Sequence, residues 1–273
     1  MMQFNLFQLD MLAVGKGYQC LAALDFVAAR EHFARVLAVL PEHHDAGQGM
    51  VDAGFWEELL AKAAEQTGEE APVFLWERIS IFPFVEAAWG HDLRKSLLRR
   101  LLTMLDDWPD FYRPPDLCRG YLYLQLGEYR AVATALRRLL ARQPENGRLW
   151  GYLGDALWSG RQGGAAEAYA RALLTAPHQV AADKLHNAEL AELIREHGPE
   201  MAPVQGFLAG LLPLPELPKN QPRSPAAQIC ELLRRAEQAR HAGDHEQTIT
   251  ARRHLRELAP ETLRDYLTWL KNN

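Results

Sequence analysis

Hydrophobic side chains recur along this chain at offsets of four and then three, and a proline follows five residues later. Val132, Leu136, Leu139 and Pro144 show the pattern, and Ala165, Tyr169, Ala172 and Pro177 repeat it 33 residues on. Those offsets put three side chains on one face of a helix, and that face has to bury against a neighbour. The proline cannot continue its helix, so it forces the turn into the next segment. Ala29, Phe33, Val36 and Pro41 carry the same offsets, as do Leu97, Leu101, Met104 and Pro109. Thr248, Arg252, Leu255 and Pro260 keep the spacing but lose the aromatic. Prolines 41, 72, 109, 144 and 177 are spaced by 31, 37, 35 and 33 residues.

A partner helix precedes each clear run. Gly17 stands twelve residues before Ala29 and Gly120 twelve before Val132, while Gly154 stands eleven before Ala165. A helical position without a side chain lets another helix cross closely, at a propensity cost of roughly 1 kcal/mol. Gly127 and Gly160 suit the turn inside each pair.

The remaining pattern predicts further helices. Residues 3–40 form two, with Phe4, Phe7, Met11, Val14 and Tyr18 as a stripe on the first and Asp25 as N-cap of the second. Helices follow at about 44–66, 70–81 and 92–106, and Pro83 breaks the stretch between the last two. Residues 178–198 read as one helix ended by Gly198–Pro199, followed by a short apolar helix at about 202–212. Prolines 213, 215, 218, 222 and 225 then enforce an extended or polyproline II segment, either a spacer or a segment docked in a groove. Residues 226–273 form a worn repeat with a closing helix that puts Leu263, Tyr266, Leu267 and Leu270 inward. No long stretch alternates with period two, so strands are not expected.

The units at 113–144 and 145–177 are each helix, turn, helix, proline, with a period close to 34 residues. They resemble the tetratricopeptide repeat (TPR) family, clearly over about a quarter of the chain and more weakly beyond it. The resemblance implies an all-α fold: a right-handed α-α superhelix, a TPR-like solenoid of about fourteen helices. Repeats would occupy 1–212 with a degenerate middle at 42–112, a Pro-rich linker 213–225, and a degenerate repeat with a capping helix 226–273.

In that family the first helix of each unit lines a concave channel that holds a peptide. Carried onto this chain, the inward set is Met11, Val14, Tyr18 and Leu21, then Leu117, Tyr121, Leu124 and Gln125, then Arg148, Tyr152, Asp155 and Trp158. The partner-binding candidates are Tyr18, Leu117, Tyr121, Leu124, Arg148, Tyr152, Asp155 and Trp158. Some members clamp acidic chain ends with Lys, Asn and Arg. At the matching places stand Val14, Tyr18, Cys118 and Arg148, of which only Arg148 suits. The implied groove is aromatic and apolar, or else it is filled by the chain's own C-terminal block.

Composition narrows the function. The 273 residues are 48% hydrophobic, enough for a continuous core. The net charge of −5 excludes a generally basic nucleic-acid binder. The charge is uneven: residues 1–112 net −8, residues 113–177 net +4 and residues 178–273 net −1. Cys20, Cys118 and Cys230 are isolated, and the absence of any CxxC argues against a zinc knuckle or a redox pair. Ten histidines include no HExxH. Neither a Walker loop nor GxSxG occurs. Gly163–Gly164, a conceivable phosphate cradle ahead of a helix, fit better as the turn between paired helices. The adjacent pairs Glu57–Glu58 and Asp106–Asp107 diverge on a helix and are poor acid–base candidates.

These readings point to a non-catalytic scaffold or adaptor with no cofactor and no metal. It would bind a mainly apolar peptide segment of another protein. The alternative is an accessory or regulatory subunit holding nucleic acid or another anionic partner through the basic central repeats. The N-terminus has no basic n-region or cleavage site, and no apolar run approaches the ~20 residues of a spanning helix, so a cytoplasmic location is expected.

Overall fold

The computed structural model describes residues 3–84, 88–216 and 224–272, with the side chains of 3–10, 88 and 272 excepted. Phe4, Phe7, the connection at 85–87, and Pro218 and Pro222 lie outside what is described. The protein is all-α, with thirteen helices among the described residues. It divides into two compact units, Met1–Leu126 and Gly127–Asn273. The division falls inside the repeat read at 113–144, between its two helices.

The first unit holds α1 (Gln3–Ala22), α2 (Phe26–Val39), α3 (His44–Glu65), α4 (Glu70–Ile81), α5 (Ala88–Met104) and α6 (Arg119–Leu126). Asp25 caps α2 as expected, its carboxylate accepting from the Ala28 N–H at 3.1 Å. Phe33 is fully buried between α1 and α3. A Cβ added at either Gly17 or Gly49 would fall under 3.0 Å from its ring, so both glycines make room for one aromatic wedge. An Arg30–Glu57 ion pair also joins α2 to α3.

Helix α5 packs back on α1 as well as on its neighbours α4 and α6. Trp89 of α5 stacks on Tyr18 of α1 at 4.7 Å between ring centroids. A simple linear stack would not bring these two helices together. Pro72 also departs from its expected role: it lies buried in the first turn of α4, where a missing N–H costs nothing, and closes no repeat.

The expectation of no strands needs one correction. Tyr112–Arg113 (β1) and Leu117–Cys118 (β2) pair antiparallel, Tyr112 opposite Cys118. Arg113 and Pro114 each precede a proline and are pushed to extended backbone, and the first helix of the unit read at 113–144 begins only at Arg119.

The second unit holds α7 (Tyr129–Leu140), α8 (Gly147–Ser159), α9 (Ala165–Thr175), α10 (Ala188–Leu208), α11 (Pro225–Ala242), α12 (His245–Leu258) and α13 (Pro260–Asn272). Successive helices pack on one another from α7 through α13. Tyr169 of α9 is 1% exposed and lies against Gly154 of α8, where an added Cβ would strike its ring. Gly164 reaches a φ of 92° as N-cap of α9, a left-handed backbone that suits glycine.

The helix expected over 178–198 is shorter than read. Two 3₁₀ turns, Pro177–Gln179 and Ala182–Lys184, come first, and α10 starts only after Asn187, whose side chain accepts from the Leu190 N–H. Gly198 is non-helical at φ 76°, ψ 155°, so α10 is two helical segments meeting at the Gly198–Pro199 break. Past α10, Leu212 folds back against Gly206 and Leu214 packs on the core formed with Val204 and Tyr266.

In the worn repeat Arg252 occupies the wedge position, and Tyr266 of α13 supplies the missing ring. Tyr266 is fully buried, the Arg252 guanidinium lies 5.7 Å from its centroid, and its hydroxyl donates to Glu237. Of the closing helix's expected inward residues, Tyr266 is buried while Leu267 is exposed.

Candidate functional site

The eight candidate residues separate by unit and by exposure. In the first unit Tyr18, Leu117 and Leu124 are 4%, 0% and 6% exposed and belong to the interior. The Tyr18 ring meets Phe33 edge-on and its hydroxyl donates to the Asp45 carbonyl at 2.7 Å. Burial, with Asp45 and Asp52 adding to it, pushes the Tyr18 hydroxyl up to about 12. These three side chains have no surface to offer a partner, which corrects their assignment to a groove. Trp89 covers Tyr18, while Leu117 lies in β2 rather than on a helix. Tyr121 is half-buried, edge-on to Trp76 at 5.9 Å.

In the second unit Arg148, Tyr152 and Asp155 lie on one face of α8, at i, i+4 and i+7. Asn146 begins this helix, accepting from the Leu149 N–H at 3.1 Å. Arg148 and Tyr152 are half-buried. They line a narrow recess with free space of about 20 Å³, together with Gly151, Asp155, Gln179, Val180, Ala181, Lys184 and Leu185.

Asp155 is 3% exposed and forms the floor of this recess rather than a contact surface. Its Oδ1 accepts from the Tyr169 hydroxyl at 2.8 Å and from the His186 backbone N–H at 2.9 Å. Burial pushes the Asp155 carboxyl above its ordinary range against the opposing pull of these two bonds. The same burial and the carboxylate itself push the Tyr169 hydroxyl up. Ser159, one turn further, has its Oγ 2.7 Å from His186 Nδ1. The carboxylate meets the backbone of His186 and the serine meets its ring, so the three do not form a proton relay.

Trp158 is 47% exposed but faces a different recess, with Leu157, Arg161, Gln162, Gly164, Ala165 and Ala166 at the α8–α9 turn. Tyr152 and Trp158 therefore do not share one wall. Residues 177–187 cover part of the α8 face, which their sequence does not reveal because it reads as helix. The Asn187 cap was the available signal.

Other candidates resolve plainly. Cys118 and Cys230 are buried thiols pushed up to about 12, and Cys20 is half-buried. Among the described residues no group of three or more His, Cys, Asp or Glu could hold a metal ion. Arg94 donates to Gln125 Oε1 at 3.0 Å in a recess with His91 and Lys95. Arg99 and Arg100 are exposed. No described helix is long and apolar enough to cross a membrane.

The class these features define is an all-α protein whose neighbouring helices pack in succession within each unit, as helical-repeat proteins do. No protein-family model, curated protein or solved structure matches the chain.

Proposed function

We propose that this chain is a non-catalytic helical-repeat protein of the TPR kind that holds a segment of another protein along α8 of its second unit. The observation that carries this reading is the recess on α8, where a half-buried tyrosine and a half-buried arginine flank apolar surface. Aromatic and arginine side chains in such places supply contact area with few rotamers to freeze. Trp158 and Tyr121 add exposed or half-exposed aromatic surface elsewhere. The buried carboxylate of Asp155 disfavours an acidic group at the floor, so the partner segment is mainly apolar with one or two charges. Isolated cysteines and the lack of a described spanning helix support a cytoplasmic setting.

A second reading keeps the anionic partner. Arg130, Arg137 and Arg138 on α7 and Arg142 just beyond it are all exposed, within the locally basic stretch.

Comparative affinity capture with full-length variants tests both. Proteins captured by the unaltered chain are expected to be lost with Tyr152→Ala and Trp158→Ala and retained with Arg99→Ala and Arg100→Ala. Capture that survives both aromatic truncations but disappears with Arg137→Ala and Arg138→Ala overturns the α8 reading in favour of the anionic one.

A further inference from the structure

The α8 face is not open along its length, because residues 177–187 of the same chain lie on it. Arg148, Tyr152, Asp155 and Ser159 are spaced as one side of a helix. Three bonds fasten the segment there. The Arg148 N–H donates to Gln179 Oε1 at 3.3 Å, the His186 N–H donates to Asp155 at 2.9 Å, and Ser159 Oγ meets His186 Nδ1 at 2.7 Å. The segment runs parallel to α8, with Gln179 at the beginning of the helix and His186 near its end.

Between these fastenings the segment does not close down. It makes two short 3₁₀ turns with no buried residue in either. Val180, Ala181, Lys184 and Leu185 form one wall of the recess whose other wall is α8. A segment bonded at both ends and loosely packed between them opens at lower free energy than the helices beneath it.

We propose that residues 177–187 are a built-in competitor for the α8 face, and that the partner is a peptide segment with the strap's turned backbone that makes the same contacts. This rests on the interaction reading above. The strap's own bonds specify the occupant. It brings an acceptor to the Arg148 N–H and small apolar side chains over Tyr152. It also brings a backbone N–H to Asp155, because a buried acceptor left short of donors is unfavourable. A donor at that depth fits a peptide backbone and does not fit a phosphate, which the carboxylate would repel. Opening of the strap sets the apparent affinity: if it is closed in about 99% of molecules, binding is weakened about 100-fold.

The probe is a fluorescent peptide of residues 177–187, titrated by anisotropy against two full-length chains. One is unaltered, and in the other residues 178–186 are replaced by a Gly/Ser run of equal length. The peptide should bind the strapless chain at least about tenfold more tightly than the intact one, the fold expected when the strap is closed in about 90% of molecules. The same peptide with His186→Pro, which lacks the donor N–H, should lose that binding. No binding to a strapless chain that keeps its helical circular dichroism, or equal binding to both chains, overturns the proposal.

If the strapless chain does not fold, Gln179→Ala combined with His186→Ala in the full chain takes its place, which removes two of the strap's side-chain fastenings and leaves α8 unaltered. Faster amide exchange at 178–187 with α8 and α9 unchanged, together with gained peptide binding, supports the strap. Unchanged exchange or absent binding overturns it. Failure here leaves the Tyr152→Ala capture result to judge the interaction reading separately.

Discussion

Replacing Tyr169 with phenylalanine removes one oxygen and tests how the second unit is held together. The hydroxyl donates to Asp155 at 2.8 Å, and that carboxyl is 3% exposed with the His186 N–H as its other donor. A hydrogen bond to a charged group contributes about 1.5–3 kcal/mol, and one between neutral groups about 0.5–1.5. Burial raises the Asp155 carboxyl from its ordinary 3.8, so the lost bond weighs more once it ionises. The expected loss for Tyr169→Phe is therefore about 1.5–3 kcal/mol where the carboxyl is ionised and about 0.5–1.5 kcal/mol where it is protonated.

The sign of the background pH dependence follows from the same shift. Between 3.8 and its raised folded value, Asp155 binds more protons folded than unfolded. Its contribution to stability therefore falls as pH rises through that window. Tyr169→Ala adds the cavity left beside Gly154 and should cost about 3–5 kcal/mol. Urea titrations followed by far-ultraviolet circular dichroism give these differences. A double-mutant cycle with Asp155→Asn should show coupling of at least about 0.5 kcal/mol. A Tyr169→Phe chain as stable as the original at every pH, with effects additive to Asp155→Asn, would refute this account of the pair.

Gly17→Ala should destabilise by about 1–3 kcal/mol, because its Cβ enters the Phe33 ring. Gly15→Ala, two positions earlier with nothing within 4 Å, should stabilise α1 by about 0.5–1 kcal/mol, and equal signs in urea titration would reject the α1–α2 register. Asp52, 7% exposed with the Gln48 amide donating to its carboxylate at 2.8 Å, is pushed up by burial. Asp52→Asn should therefore stabilise the chain at neutral pH, with the gain shrinking as pH falls through the carboxyl range; a gain that is constant with pH counts against burial as the cause.

The four-three-five spacing located the interior well. Ala29, Phe33, Val36, Leu97, Leu101, Val132, Leu136, Leu139, Ala165, Tyr169, Ala172 and Leu255 are all buried. That much is legible because helical periodicity is local: residues three and four apart share a face whatever the rest of the chain does. The helix start at Asp25 and the break at Gly198–Pro199 are local for the same reason.

Which helical faces stay open is decided by residues far away in sequence. Tyr18 carries the same register in the sequence whether or not Trp89, 71 positions on, stacks over it. Asp155 reads as a groove residue until His186 and Tyr169 are seen to claim its carboxylate. The aromatic missing at Arg252 reappears from α13 as Tyr266, a substitution no repeat alignment along the chain could show. Local spacing thus determined the helices and their inward faces. Long-range packing alone decided that α8 keeps a recess and that the chain's own residues 177–187 lie over it.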